Sequence, residues 1–410
     1  MKKYFLFFAA AAALGMVAPA CGDDDDSPAA PSAVEGLYIS SVVDAPAASG
    51  GIDVTLTVAL PVAAERDVVV GVKIDPTAIT DSYYQAVALD KTDLGSDATV
   101  TIAKGATSVD KKIHVSDFDV NDRKYALAIA ISSTDASITV DSEKSKISRI
   151  LGLPLSKVSV PNFRMGKSGN VLFAMPGQYA GTDSVKSVWD IKTTDYTVEF
   201  WAKLDYYNSQ NFQILNMYDA AWTNYECFFR FGDANQLPQS DARAVNGRRC
   251  YVNWKVGATG SVNLTGDYDL IASEWNHWAV VYTGADGVAT LYKNGTEYLT
   301  DAAAEPGTEW EIGMFSLVGS HQRTNDSMYL SEVRLWTKAL TAEEISANKN
   351  RSVDPQSADL EGYWPLDRAS YSEADKTFRD LTSNGHTLYG RWGTLLSPFV
   401  WTGPHSFQQQ

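Results

Sequence analysis

The sequence predicts an all-β protein made of two sandwiches. Between residues 34 and 151, apolar and polar residues alternate over short runs, the clearest of which starts at Ile52, and Gly, Asp, Ser or Pro bounds each run. The composition then changes, because all 11 tryptophans lie at or after Trp189. These observations predict an antiparallel, Ig-like β-sandwich over residues 34–151, a linker over 152–161, and a second strand-rich domain over 162–404.

The N-terminus is expected to be a secretory signal that ends at a cysteine. Two lysines precede the apolar run 4–17, which is shorter than the ~20 residues that a membrane-spanning helix needs. Small residues before Cys21 resemble the bacterial lipobox, although Ala18 stands where that motif usually has Leu or Val. The resemblance implies that residues 1–20 are removed and that Cys21 is lipidated. The alternative is cleavage that leaves Cys21 as a free thiol.

An acidic run follows this cysteine directly. Residues 21–33 are rich in Asp, Pro, Ala and Ser, which predicts a disordered tether. The run from Asp23 to Asp26 resembles the surface-export signal of glycan-harvesting Gram-negative gut bacteria. That resemblance implies a lipid-anchored protein on the cell surface, in the outer membrane. A solvated, self-repelling spacer is the alternative interpretation.

The net charge of the chain argues against some classes of partner. The formal charge of the chain is −16, and it becomes −18 when Lys2 and Lys3 leave with the signal. This balance argues against nucleic acid as a partner, and against binding of anionic lipid by charge.

Only two cysteines remain after the signal, Cys227 and Cys250. Both lie in strand-like runs, and the alternation of residues in those runs predicts that both side chains point toward a core. A disulfide and two buried free thiols are equally compatible with this pattern.

Two short motifs predict local structure in the second domain. Asn294-Gly295 lies between two alternating runs and predicts a two-residue hairpin, because both turn residues must take positive φ. Thr341 and Glu344 have the spacing of a capping box and predict the start of one short helix, which ends over residues 348–351.

Five groups of motifs occur in the order that laminin-G-like, concanavalin A-like jelly rolls show. In chain order they are Thr197–Trp201, Trp275–Tyr282, Leu291–Gly295, Glu332–Ile345, and Leu360–Asp367 together with Asp380–His386. The resemblance covers about residues 162–401 and implies that fold, which hosts lectins, hydrolases and adhesion modules alike. It also implies core positions for five tryptophans: Trp201, Trp275, Trp278, Trp336 and Trp364.

The first domain also resembles a known family. Its turn at Ile102–Gly105 and the run Asp122–Ile131 resemble the β-sandwich of unknown function that opens many surface lipoproteins of glycan-utilisation loci. The resemblance implies that this domain is a spacer.

The carboxylates do not form a recognisable catalytic pattern. Concanavalin A-like glycosidases carry a Glu-x-Asp-x-x-Glu strand, whose alternate positions bring two carboxylates to one face. Glu199, Glu332 and Glu344 each lack such partners along the chain, and no HExxH, GxSxG or Walker motif occurs. The sequence therefore predicts a binding protein and not an enzyme. A glycosidase with an unfamiliar acid–base pair is an alternative.

One loop combines the side chains that sugars require. Aromatic rings meet the C–H face of a sugar, and polar side chains meet its hydroxyl rim. A candidate loop between two strands supplies both kinds of side chain: Tyr218, Asp219, Trp222, Asn224 and Tyr225. Packing of this loop onto the edge of the sandwich explains the same residues equally well.

Two further groups are weaker candidates. Arg230, Tyr251 and Asn253 occupy the strand face opposite the predicted core, where an ordinary solvated face is the simpler interpretation. His321 and Arg323 belong to a polar loop that could line a sugar site.

The same polar loop contains Asn325 and Asp326, whose oxygens could hold Ca²⁺. A solvated loop without a metal is the simpler interpretation here too, and none of the motifs requires a cofactor.

The lipid anchor, the acidic tether and the lectin-like fold together imply a glycan-binding lipoprotein of the cell surface. Such a protein captures a polysaccharide or a glycoprotein N-glycan for an outer-membrane transporter and neighbouring surface glycosidases. An adhesion or assembly module that binds protein is the alternative from another class.

Overall fold

The computed structural model describes residues 36–47, 50–116, 124–152, 158–164, 171–174, 191–206, 212–218, 225–231, 235–236, 248–249, 252–256, 262–266, 274–318, 327–391, 399–405 and 407. These ranges contain two β-sandwiches, and one α-helix and three short 3-10 helices accompany the strands. No helix within them is long and apolar enough to span a membrane. The all-β architecture predicted from the alternation of residues is confirmed.

The first sandwich has eight strands in two sheets. Strands β1, β2 and β6 form one antiparallel sheet, while β3, β4, β5, β7 and β8 form the other, in which β4 runs parallel to β7. The strands are β1 Tyr38–Pro46, β2 Ile52–Ala59, β3 Val68–Ile74, β4 Tyr84–Ala86, β5 Thr99–Ile102, β6 Ser108–Val115, β7 Lys124–Ser133 and β8 Lys146–Ile150.

Aliphatic side chains from both sheets form one core. Along β2 the side chains of Val54 and Leu56 are buried while that of Thr55 is only half-buried, as a period of two requires. Val70 of β3 and Leu127 of β7 complete the same core from the opposite sheet.

The alternation of residues also predicts a strand over Ser137–Val140, and that prediction is wrong. The segment turns, and only Val140 forms an isolated bridge, with Leu37. The Asp135 carboxylate accepts hydrogen bonds from the backbone N–H (3.0 Å) and the hydroxyl (2.7 Å) of Ser137. Such a side-chain acceptor stabilises a turn in competition with strand pairing.

The second sandwich contains the remaining strands and the helix. They are β9 Val158–Arg164, β10 Val171–Ala174, β11 Ile191–Thr193, β12 Tyr196–Tyr206, β13 Phe212–Tyr218, β14 Tyr225–Phe231, β15 Asn235–Gln236, β16 Arg248–Arg249, β17 Val252–Val256, β18 Val262–Thr265, β19 Asn276–Thr283, β20 Val288–Lys293, β21 Thr296–Ala302, β22 Trp310–Ile312, β23 Met314–Leu317, β24 Ser327–Trp336, α1 Ala342–Asn348, β25 Leu360–Trp364, β26 Tyr371–Ser372, β27 Thr377–Phe378, β28 Leu388–Arg391 and β29 Phe399–His405.

Two large sheets face each other in this sandwich. One has nine strands in the order β18-β17-β14-β13-β23-β10-β28-β27-β26, and the other has β21-β20-β19-β12-β24-β9-β29 with β25 beside β24. Aromatic rings fill the space between them: Phe200 meets Phe229 edge-on at 5.3 Å, and Phe315 stacks on Trp364 at 5.0 Å. Trp278 is fully buried in the same core.

Both short motifs of the second domain are confirmed. Asn294 and Gly295 have φ of 55° and 82° in the turn between β20 and β21. At the start of α1, the Thr341 hydroxyl accepts the Glu344 N–H at 3.2 Å, and the Glu344 carboxylate accepts the Thr341 N–H at 2.9 Å.

Strand β9 begins at Val158, inside the segment 152–161 that was predicted to be a linker. It lies between β24 and β29 in the eight-stranded sheet, and Val160 and Phe163 are buried. Pro161 has no backbone N–H to donate, yet it does not prevent this pairing. Strand β24 pairs with β9 only from Asn162 onward, so no hydrogen bond from residue 161 is needed on that side.

Four of the five tryptophans expected in the core are buried: Trp201, Trp278, Trp336 and Trp364. Trp275 is instead partly exposed and meets the ring of Phe407 at 4.7 Å.

Ion pairs join the two sandwiches directly. Asp44 of β1 accepts hydrogen bonds from Arg149 of β8 at 2.9 Å and from Arg351 of the second sandwich at 2.8 Å. Arg149 also pairs with Asp354, which follows α1. The junction is therefore a network in which each arginine contacts an acid.

A buried carboxyl lies at the same junction. The hydroxyl of Tyr83, in the first sandwich, donates to Asp367 of the second at 2.9 Å. Burial raises the pKa of Asp367 from its ordinary value of 3.8 to about 6, although the nearby Lys124 acts in the opposite direction.

We expect this carboxyl to make stability depend on pH. A folded-state pKa above the unfolded one favours the protonated folded form, so its contribution is present below about pH 4 and is lost as pH rises through 6. The free energy of unfolding of the wild type, relative to Asp367→Asn, should fall by roughly 2 kcal/mol between about pH 4 and pH 7. Denaturant unfolding of both proteins measures it. A difference that does not change with pH would contradict the assignment.

Candidate functional site

Two glutamates of the second sandwich meet at one arginine. Arg334 of β24 donates to Glu199 of β12 at 3.2 Å and to Glu332 at 2.9 Å. Lys124 of the first sandwich approaches Glu332 to 3.1 Å. The side chains of the arginine and both glutamates are at most 1% exposed, so this is a charge cluster closed to solvent.

Two further hydrogen bonds reach oxygens that Arg334 already contacts, while Glu199 Oε2 has no hydrogen-bond partner among the described residues and lies 3.5 Å from Nε2 of the buried His277. Trp336 donates its indole N–H to Glu199 at 3.1 Å, and the Tyr363 hydroxyl donates to Glu332. Burial opposes ionisation of Glu332, but Lys124 and Arg334 outweigh it, so its pKa lies below the ordinary value. The pKa of Glu199 is lowered in the same way, mainly by Arg334.

This cluster decides the role of the glutamates considered as catalytic candidates. Glu199 and Glu332 are ionised, and each is already paired with a buried cation, so neither is free to act as the acid or the nucleophile of a glycosidase. Glu344 belongs to the capping box of α1. The three carboxylates therefore have structural roles, and a catalytic pair is not formed from them.

The nine-stranded sheet carries the predicted polar face. Arg230 of β14 lies opposite Gln213 of β13 and opposite Asn253 of β17. Its neighbours Phe229 and Phe231 are buried in the core, while Arg230 is only partly buried. Alternation along β14 thus directs the arginine to the side of the sheet away from the core.

A buried polar pair lies on the same sheet as this arginine, with Asn216 opposite Phe228 in register, and sequence reasoning missed it. Asn216 of β13 and Ser316 of β23 are paired in register, and both are buried. The Asn216 amide donates to the Ser316 hydroxyl at 3.3 Å, and its carbonyl oxygen, Oδ1, has no hydrogen-bond partner among the residues that the structure describes. An unsatisfied buried acceptor costs about 1–3 kcal/mol and therefore needs an explanation.

The sequence did contain a signal for this pair. Asn216 interrupts the apolar run Ile214–Met217, and Ser316 stands between Phe315 and Leu317. A single polar residue inside an apolar strand is a candidate for the outer face of a sheet. It cannot be distinguished from a satisfied core amide until the partner strand is known.

Most residues of the predicted sugar loop lie outside the described part. Tyr218 ends β13 and is partly buried, and the backbone of Tyr225 begins β14 opposite it. The other predicted binding residues have no described position, so they stay predictions: Asp219, Trp222, Asn224, Tyr251, His321 and Arg323.

The same holds for the metal and cysteine predictions. Asn325, Asp326 and Cys21 lie outside the described residues. Within the described ranges, no cluster of three or more His, Cys, Asp or Glu could hold a metal ion. Cys227 lies opposite Val256 in the β14–β17 pair, and Cys250 has no described position, so their pairing stays a prediction.

Comparison with known families assigns the second domain. Residues 176–346 match the model of the concanavalin A-like lectin/glucanases superfamily. The second sandwich has the laminin-G-like, concanavalin A-like jelly-roll fold. In this jelly-roll domain, the buried Glu199 and Glu332 belong to the eight-stranded sheet. The polar pair of Asn216 and Ser316 belongs to the nine-stranded sheet. Residues 35–138, in the first sandwich, match the model of an N-terminal domain family. No curated protein sequence matches the chain.

Several solved structures are similar to parts of the chain. A "putative carbohydrate binding protein" from Bacteroides ovatus is 18% identical, with a TM-score of 0.42, over 89% of this chain and 99% of its own. A SAP-like pentraxin from Limulus polyphemus is 16% identical, with a TM-score of 0.32, over 46% and 81%. The botulinum neurotoxin serotype D binding domain is 11% identical, with a TM-score of 0.32, over 63% and 51%.

The buried cluster makes a prediction about Lys124. Replacing it with alanine leaves Glu332 short of one cation in a dry environment, so Lys124→Ala should lower the free energy of unfolding by about 3–5 kcal/mol. Lys112→Ala is the control, because Lys112 pairs with Asp53 at 3.2 Å while its side chain is 70% exposed. That loss should be about 0–1 kcal/mol. If denaturant titrations gave equal losses of unfolding free energy for the two variants, the buried pair would stabilise the protein no more than the exposed pair.

Proposed function

We propose that this protein binds glycans through the nine-stranded sheet of its jelly-roll domain and does not cleave them. The match to a lectin and glucanase superfamily supports a carbohydrate ligand. The observation that carries the proposal is the buried Asn216–Ser316 pair, whose amide oxygen lacks a partner, on the same sheet as Arg230.

The polar groups of this sheet suit hydroxyl recognition. Sugar hydroxyls both donate and accept, so one hydroxyl of a glycan can satisfy the Asn216 carbonyl and another can receive an N–H from Arg230. Tyr218, at the end of the same strand as Asn216, offers an aromatic ring for the C–H face of a sugar ring. The glutamates of the other large sheet are already paired, and the binding groups proposed here contain no carboxylate pair that could cut a glycosidic bond.

The proposed cellular role follows from the N-terminal sequence. Lipidation of Cys21 and the acidic run after it would hold the protein on the outer face of the outer membrane. There it would capture a polysaccharide or a glycoprotein glycan and pass it to surface glycosidases and an outer-membrane transporter. Asn325 and Asp326 remain the candidate calcium ligands, and loss of binding in a chelator would support them.

The test begins with glycan arrays and calorimetry on the chain without its signal and lipid, using plant, fungal and N-glycan libraries. A glycan ligand is expected, and Arg230→Ala should weaken it by roughly tenfold, because a hydrogen bond to a charged group contributes about 1.5–3 kcal/mol. Arg66→Ala, at an exposed arginine of the first sandwich, is the control and should have no effect. Binding to protein ligands alone, with every glycan negative, would favour an adhesion module instead.

The Asn216 amide gives a second test that separates binding from folding. Asn216→Leu removes an unsatisfied buried acceptor, so stability should stay within about 1 kcal/mol of the wild type or rise. Glycan affinity should nevertheless fall by roughly tenfold or more.

The matched control is Asn276→Leu in the eight-stranded sheet. Asn276 donates to the Glu274 carbonyl at 3.1 Å and accepts from Asn294 at 3.0 Å. Its replacement should cost about 1–3 kcal/mol of stability and leave glycan affinity unchanged. The reverse pattern, an unstable Asn216→Leu with full affinity, would show that Asn216 is structural.

A further inference from the structure

A groove lies between the two sandwiches, and its lining residues lie outside the strands of the sheet just described. Its volume is about 330 Å³. Thr80, Asp81 and Tyr84 belong to its first-domain wall, and Gln356, Arg379 and Ser383 belong to its second-domain wall. We call it the interdomain groove, and it exists only because both domains contribute a wall.

The two walls are held together without a ligand. Arg379 donates both terminal nitrogens to the two oxygens of Asp81, one of them at 2.7 Å. This planar, two-bond pair restricts orientation as well as distance. Next to it, the Tyr83 hydroxyl donates to the buried Asp367 at 2.9 Å. The groove is therefore pre-formed, which reduces the ordering that binding would require.

The ring of Tyr84 is fixed inside this frame. It meets Tyr83 edge-on, with ring centroids 5.0 Å apart and planes at 90°. Tyr83 is itself buried and anchored, so it supports the Tyr84 ring from one side. Tyr84 remains partly exposed and lines the groove. An oriented and partly exposed ring can stack against the C–H face of a sugar.

The rest of the lining favours an uncharged ligand. Among the residues that the structure describes, Asp81 and Arg379 are the only charged ones in the lining, and they neutralise each other. Thr80, Ser383 and Gln356 add hydroxyl and amide groups that both donate and accept. An anion would meet Asp81 and a cation would meet Arg379, whereas a neutral polyhydroxylated ligand meets only complementary groups.

We propose that the interdomain groove is a second binding site, which takes a short neutral saccharide. The volume of 330 Å³ is at the lower end of the range of about 300–1,000 Å³ for ligand pockets, so about one or two sugar rings fit. This site uses other residues than the sheet of the jelly roll and does not depend on that proposal.

Saturation-transfer NMR and titration on the whole mature chain test the groove. The probes are glucose, galactose, mannose, N-acetylglucosamine, maltose, cellobiose and lactose, and the protein carries Asn216→Leu, which is expected to weaken the sheet site. At least one probe should bind. Ser383→Trp and Thr80→Trp fill the groove from opposite walls at exposed positions, and each should weaken that binding by roughly tenfold or more.

Ser96→Trp is the matched control, because Ser96 is exposed and does not line the groove. It should change affinity by less than about twofold, a small free-energy change. Two results would overturn the proposal: no binding of any probe, or binding that both filling variants leave intact. Melting curves show whether each variant folds, and the two walls provide independent variants. If the wild type bound a probe and the Asn216→Leu protein bound none, the first of these results would count against the groove and would support the sheet site.

Discussion

The interaction on which much of this structure depends is the pairing of Arg334 with two buried glutamates. Taking three charges out of water costs several kcal/mol for each, and the cost is offset only if every charge has close partners. Glu199 and Glu332 each contact Arg334, and the first domain supplies the further cation, Lys124. The jelly-roll domain thus depends on the neighbouring sandwich for charge balance in its own interior.

This dependence bears on the expectation that the first domain is a spacer. A spacer needs few contacts with the domain that it carries, yet here Asp44, Arg149 and Arg351 form one network across the junction. The pair Arg379–Asp81 and the bond from Tyr83 to Asp367 lie at other points of the same junction. A junction with buried charges and several fixed pairs is rigid, and rigidity is what allows a groove between two domains to be a binding site.

The distribution of charge also bears on binding against catalysis. Glu199 and Glu332, the glutamates considered as catalytic candidates, are paired inside the protein. The nine-stranded sheet instead carries the amide of Asn216, the hydroxyl of Ser316 and the guanidinium of Arg230. Such groups recognise hydroxyls without moving protons between a sugar and water. Under the proposed function, this sheet would hold a glycan by shape and by hydrogen bonds.

The sequence by itself determined the local elements: alternation identified most strands, Asn294-Gly295 identified a hairpin, and Thr341 with Glu344 identified the helix start, because each signal acts within a few residues. It also indicated that Arg230 lies on the face opposite Phe229. Only the tertiary structure showed that Lys124 reaches Glu332, that Asn216 meets Ser316, and that β9 starts within the expected linker. These contacts join residues far apart in the chain, and no period or motif encodes which distant strands become neighbours. Burial and electrostatic partners depend on that neighbourhood, so they are decided when the two sandwiches pack.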